Sequence, residues 1–135
     1  MRNIYLVLVL FSVVFFSCKN ATSQSTEDST VELITVEEMN SLIELGKVKL
    51  IDVRTPREYN RGHITGAVNI DFTDKNFAEL IAKVDKSKPI AVYCGRGGRS
   101  AKCASYMKEA GFTKIYDLDG GITEWKFKGK PLVKD

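Results

Sequence analysis

Apolar positions along the chain follow helical and strand periods in turn. Thr35-Val36-Glu37-Glu38 is a capping box, and Val36, Met39, Leu42 and Ile43 then recur at helical spacing until Gly46, which predicts a first helix. Residues 48–53 form a short apolar run of the buried-strand type. Residues 56–59 suit a helical turn with proline at its start, and residues 67–70 a second brief strand. Phe77, Leu80, Ile81 and Val84 keep the i, i+3, i+4, i+7 pattern of a helix lying on a sheet. A strand over 90–93, a helix over 100–110 closed by Gly111, a strand over 114–118 and a short helix over 122–127 complete the series. Alternation of this kind predicts an α/β fold, with parallel strands and helices on both faces. Ligands of such open sheets bind beyond the carboxyl ends of the strands. Cys94 ends one predicted strand, and Asp52, Val53 and Arg54 end another, so both belong on the binding side.

The first thirty residues have another character. Arg2 gives a positive start, and residues 4–16 are apolar with only Ser12 interrupting, which is too short to span a bilayer and fits the apolar region of a signal peptide. The run ends at Phe15-Phe16-Ser17-Cys18, which resembles the lipobox of bacterial lipoproteins, although two phenylalanines replace its usual residues. That resemblance implies lipidation of Cys18 and an exported chain anchored to a membrane of the bacterial cell envelope, with its domain in the periplasm or at the cell surface. An ordinary cleaved signal or an uncleaved anchor is the alternative. Residues 18–29, polar and without large apolar side chains, read as a flexible tether. The expected organisation is therefore a signal peptide over 1–17, a lipidated tether over 18–29 and one folded domain over 30–135.

Charge and cysteine usage narrow the function. A net charge of +3, reduced by one when the segment carrying Arg2 is removed, gives no basis for nucleic-acid binding. Beyond Cys18 there remain Cys94 and Cys103, with a single histidine and no Cys-x-x-Cys, so neither a zinc site nor a dithiol motif is expected, and no metal or cofactor is implied.

The chemistry concentrates in Cys94-Gly95-Arg96-Gly97-Gly98-Arg99-Ser100, between a strand and a helix. Glycines let successive N–H groups turn inward, and the helix N-terminus adds its own, so the loop forms a cup that favours an anion. The first group in that cup is a thiol, which should hold a depressed pKa and act as a nucleophilic thiolate. Four residues separate Cys94 from Arg99. Cysteine phosphatases with a comparable loop carry one residue more, to encircle a phosphoryl group, and the tighter loop suits a thiolate bearing one extra sulfur.

The Cys-x-x-Gly-x-Arg-Ser pattern resembles the active loop of rhodaneses, the thiosulfate sulfurtransferases. Leu50-Ile51-Asp52-Val53-Arg54-Thr55-Pro56-Arg57-Glu58-Tyr59, continued by Arg61-Gly62-His63-Ile64-Thr65-Gly66-Ala67-Val68-Asn69-Ile70, and then Leu118-Asp119-Gly120-Gly121-Ile122-Thr123-Glu124-Trp125 with Gly129-Lys130-Pro131-Leu132 resemble further signatures of that family, in its order. The resemblance implies a rhodanese-like, open, mainly parallel five-stranded sheet, its first strand near residues 31–34. It also implies transfer of a sulfane sulfur from thiosulfate or a persulfide donor, through a Cys94 persulfide, to a thiol or cyanide acceptor. A non-catalytic module for partner binding or sulfur carriage, and a cysteine phosphatase or arsenate reductase, are the competing readings.

Each site residue carries an expectation. Cys94 is the nucleophile, and Gly95, Arg96, Gly97, Gly98, Arg99 and Ser100 bind the substrate. Arg99 closes the loop and favours the thiolate, or pairs with a carboxylate such as Asp52. Arg96 either steers a dianionic donor or is simply exposed. Ser100 reads first as a helix cap, with its hydroxyl turned to the loop or the sulfur as the alternative. Asp52 braces the sheet end as an acceptor, and Arg54 approaches the pocket. His63 is expected to be structural, Cys103 to pack in the core rather than act as a resolving thiol, and Trp125 to lie in the core.

Overall fold

The computed structural model describes residues 29–134. The expected signal peptide, the lipidation site at Cys18 and nearly all of the tether lie outside the described residues. Among the described residues ten elements follow one another: β1 (Thr30–Ile34), α1 (Val36–Glu44), β2 (Lys49–Asp52), α2 (Pro56–Asn60), β3 (Val68–Asn69), α3 (Phe77–Ala82), β4 (Ile90–Tyr93), α4 (Gly98–Glu109), β5 (Lys114–Leu118) and α5 (Gly121–Phe127). The strands form one five-stranded sheet in the order β1-β5-β4-β2-β3, with every ladder parallel. The fold is thus the α/β architecture that the alternating periods predict.

Side-chain alternation sorts the core into two layers. Ile51, Ile90, Val92 and Ile115 face α3 and α4, where Phe77, Ile81, Cys103 and Met107 meet them. Leu50, Ala91, Tyr93 and Leu118 face the other way, onto Met39 of α1 and Ile122 and Trp125 of α5. Strand β4 is buried along its whole length, which is why its sequence shows a continuous apolar run instead of alternation. Trp125 is core, as expected, and its Nε1 donates to Pro131 O at 3.0 Å.

Several boundaries differ from the sequence expectation, three of them with a visible cause. Strand β3 keeps only two ladder residues, because Ala67 N–H already donates to Ile64 O in a turn. Helix α3 ends at Ala82, and Val84 packs in the core from a turn closed onto Ile81 O. Helix α4 begins two residues early, at Gly98, with Gly97 as its N-cap in the left-handed region at φ 104°.

A buried ion pair ties the carboxyl end of β2 to the following loop. Arg54 Nη2 donates to Asp52 Oδ2 at 2.6 Å and to Gly62 O at 2.8 Å, and Arg54 Nε reaches both Asp52 oxygens at 3.0 Å. Asp52 is fully buried and Arg54 nearly so, and the guanidinium lies 5.7 Å from the Tyr93 ring centre. Asp52 therefore braces the sheet end as expected. His63 is structural as well: its backbone pairs with Val133 in both directions at 2.9 Å, and its ring stacks on Tyr59 at 3.7 Å.

Removing one partner of such a pair leaves the other charge buried and uncompensated. Arg54→Leu is therefore expected to destabilise the domain by about 3–5 kcal/mol. Urea unfolding followed by circular dichroism measures it, and a loss under ~1 kcal/mol would show that the pair is not the brace.

Candidate active site

Strand β4 delivers Cys94 at its carboxyl end, on the α4 face of the sheet. The residue is only 2% exposed, so the sulfur sits at the floor of the loop rather than on its rim. Gly97 N–H donates to Cys94 Sγ at 3.1 Å. Burial pushes the thiol pKa up, but donors from the Ser100 backbone and hydroxyl and from the Gly97 and Arg96 amides outweigh it and leave the thiol below its ordinary value. The inward-facing cup expected from the glycines is present, and its charge preference comes from the Gly97 bond together with the nearby Ser100 and Arg96 donors.

The loop is held from behind by α5. Ile122 N–H donates to Cys94 O at 2.9 Å, while Thr123 donates to Gly95 O twice, from its N–H at 3.1 Å and its hydroxyl at 2.9 Å. These bonds draw the loop carbonyls away from the sulfur and leave the amides facing it. The approach is so close that only glycine fits at position 121. A Cβ there would lie 2.5 Å from Cys94 O and 2.8 Å from Gly95 C, and its φ of +59° disfavours a side chain in any case.

Arg99 does close the site, but its carboxylate partner is Glu58 rather than Asp52, which Arg54 already occupies. Arg99 Nη1 and Nη2 meet Glu58 Oε2 and Oε1 at 2.8 and 2.7 Å, a bidentate fork that links α4 to α2. Glu58 also caps α2, accepting from Thr55 N at 3.0 Å and Thr55 Oγ1 at 2.8 Å. The Arg99 fork and the Thr55 donors hold the Glu58 carboxyl down at about 2 against its burial, so the pair survives to about that pH and is lost only as pH falls through it.

A cleft of ≈ 540 Å³ opens over the loop, lined by Glu58, Cys94, Gly95, Arg96, Gly98, Arg99, Lys102 and Thr123. Arg96 is exposed at its mouth, where Lys102 adds a further cation. Arg54 is absent from this cleft. The Asp52 pair turns it towards a neighbouring hollow shared with Glu58, Arg61 and Ile122, which corrects the expectation that it approaches the pocket. Ser100 is also reassigned. It lies three residues past the N-cap Gly97, is fully buried, and donates to Gly97 O at 3.2 Å instead of capping the helix.

Sequence reasoning missed Glu58, Lys102, Thr123 and Gly121 as site residues. A signal for Glu58 was present, since Thr55-x-x-Glu58 repeats the capping-box pattern of Thr35 and Glu38. Nothing local marks Thr123 or Lys102 as neighbours of Cys94. Cys103 packs as expected: it is fully buried, its sulfur lies 3.8 Å from Met107 Sδ, and burial, helped by the charges of Asp117 and Cys94, pushes its thiol up to about 12.

Gly121→Ala is the sharpest test of the α5 contact. It should destabilise the domain by about 2–4 kcal/mol and slow iodoacetamide alkylation of Cys94 at least tenfold at neutral pH. Chemical unfolding and peptide mass spectrometry check the two effects. Wild-type alkylation rates would mean that α5 does not shape the loop.

Residues 35–128 match the model of the rhodanese-like domain. The chain is 34% identical over 97 residues to the thiosulfate sulfurtransferase GlpE of Shewanella oneidensis, covering 72% of this chain and 94% of that protein. It is 35% identical over 97 residues to the thiosulfate sulfurtransferase GlpE of Pseudomonas aeruginosa, covering 72% of this chain and 86% of that protein. Among solved structures, a rhodanese-related protein from Thermoplasma volcanium superposes with a TM-score of 0.70 at 29% identity, covering 77% of this chain and 99% of that one. The rhodanese-like domain of an Anabaena sp. protein gives a TM-score of 0.67 at 28% identity, covering 76% and 79%. With the strand-to-loop cysteine, the amide cup and the five-stranded parallel sheet all in place, the chain belongs to the rhodanese-like domain family.

Proposed function

We propose that this protein is a sulfurtransferase that carries a sulfane sulfur on Cys94. The observation that carries the reading is the Gly97 N–H on Cys94 Sγ, within a set of donors that keeps the thiol below its ordinary value. In the first half-reaction the Cys94 thiolate attacks the outer sulfur of thiosulfate. A bond forms between Cys94 Sγ and that sulfur, the sulfur–sulfur bond of thiosulfate breaks, and sulfite leaves with the bonding pair. In the second, an acceptor thiolate or cyanide takes the outer sulfur and returns the Cys94 thiolate. The loop amides stabilise the negative charge on sulfur in both halves. Arg96 and Lys102 suit the approach of a dianionic donor and the exit of sulfite. Similarity to thiosulfate sulfurtransferases over most of the domain supports thiosulfate as the donor.

The amino-terminal pattern extends the proposal. An apolar run ending at Ser17-Cys18 supports export and lipid attachment at Cys18, with the catalytic domain carried outside the cytoplasm on a polar tether. Among the described residues, no helix is long and apolar enough to cross a membrane.

Two measurements test these statements. After incubation with thiosulfate, intact mass spectrometry should show an adduct of about 32 Da that persists in Cys103→Ser and vanishes in Cys94→Ser. Absence of the adduct from wild-type protein would favour a non-catalytic module, and turnover of an aryl phosphate would favour a phosphatase. In bacterial cells grown with a labelled fatty acid, the full chain should take up label and Cys18→Ser should not. Equal labelling of both would exclude a lipid on that residue.

A further inference from the structure

Among the described residues, one buried side-chain oxygen has no hydrogen-bond partner, Oδ1 of Asp117. Asp117 is 3% exposed, and a carboxyl so enclosed with an idle acceptor is costly unless it serves a purpose. Its place in the sheet is informative. Asp117 pairs with Val92 on β4 and with Leu33 on β1. Side chains two apart on a strand share a face, so Asp117 points, with Ile115, towards the layer that holds Val92, Cys94 and Cys103. Ser100 of α4 and Asp119 at the exit of β5 act on it, Cys103 of α4 feels its charge, and Cys94 lies in the same layer at the end of β4, while β1 brings only Leu33 at the paired position.

Ser100 stands between the two acids. It is fully buried and donates to Gly97 O at 3.2 Å, and its hydroxyl is near enough to lower the pKa of both the Cys94 thiol and the Asp117 carboxyl. A hydroxyl has one hydrogen, so these acceptors compete for it. We propose that Asp117 is a positioning residue for Cys94: as a neutral carboxyl it donates its proton to Ser100 Oγ, which leaves the Ser100 hydrogen free to point at the anionic sulfur. The proposal rests on Cys94 as the reactive thiol, whatever group that thiol transfers.

Burial, opposed by Ser100 and reinforced by Asp119, raises the Asp117 carboxyl to about 6, so a neutral form is within reach of working pH. Below that value Asp117 is protonated and the Ser100 hydrogen serves the sulfur. Above it, a carboxylate claims the same hydrogen and sets a like charge behind the thiolate, and both effects raise the Cys94 thiol. Cys94 and Asp117 then titrate as a pair, and a negative charge on the sulfur holds the proton on Asp117 to higher pH. No chemistry is added at the sulfur. The carboxyl decides which way one hydrogen points.

Asp117→Asn tests this in the full chain, because the amide is neutral at every pH and still donates to Ser100 Oγ. Iodoacetamide alkylation of Cys94 is followed across pH by peptide mass spectrometry. The variant's midpoint should lie below that of the wild type, with alkylation on the acid limb about three- to tenfold faster. The shift should shrink to its like-charge part when both proteins also carry Ser100→Ala. An unmoved or raised midpoint, or the same shift without the Ser100 hydroxyl, overturns the proposal. Infrared spectra of wild-type protein give a second reading that needs no variant to fold: a protonated-carboxyl band should disappear as pH rises through about 6, and a spectrum without that band overturns it equally. Thiosulfate enters neither measurement, so failure of the sulfur-transfer reading would leave this result standing.

Discussion

The contact between α5 and the backbone of Cys94 and Gly95 is the constraint on which the site depends. A thiol at the end of a buried strand would ordinarily be driven to a higher pKa by burial, as Cys103 is. Cys94 escapes because its carbonyl and the next one are turned outward and bound by Ile122 and Thr123. With the carbonyls engaged behind, the amide of Gly97 is left facing the sulfur. Nothing larger than a hydrogen atom at position 121 permits that approach. Packing, hydrogen bonding and acidity are consequences of one close contact.

Two cysteines nine positions apart thus acquire opposite chemistry. Cys103 lies between α4 and the sheet among Met107 and other apolar groups, with no donor for a thiolate, and stays a small apolar side chain. Cys94 is almost as buried but meets oriented N–H groups. Burial by itself does not decide reactivity; the dipoles inside the burial do.

Charge around the cleft is arranged so that little of it is spent on the sulfur directly. Glu58 holds both nitrogens of the Arg99 fork, which fixes the start of α4 against α2 and neutralises part of that cation. Arg96 and Lys102 remain at the mouth, where an incoming anion meets them first. The division suits a reaction whose substrate and leaving group are both anions. Backbone dipoles face the Cys94 sulfur, and side-chain cations stand at a distance from it. The buried Asp52–Arg54 pair belongs to a different task, since it fastens the loop through Gly62 to the sheet and leaves the cleft to α4 and α5.

The alternating periods of apolar residues, the capping residues and the glycine-rich run after an apolar strand determined the element series, the parallel sheet and the place of Cys94 at the head of an amide-lined loop, because each depends on neighbours within a few positions. Glu58 was half legible, as the second member of a capping box whose other partner could not be known. Tertiary structure alone decided that Arg99 meets Glu58 and not Asp52, that Arg54 turns away from the cleft, that Ser100 lies past the helix cap, and that α5 grips the loop from behind. The Arg99–Glu58 pair and the grip of α5 on the loop bring together residues between 28 and 41 positions apart. The order in which strands assemble sets which ends lie side by side, and no local pattern of side chains encodes that order.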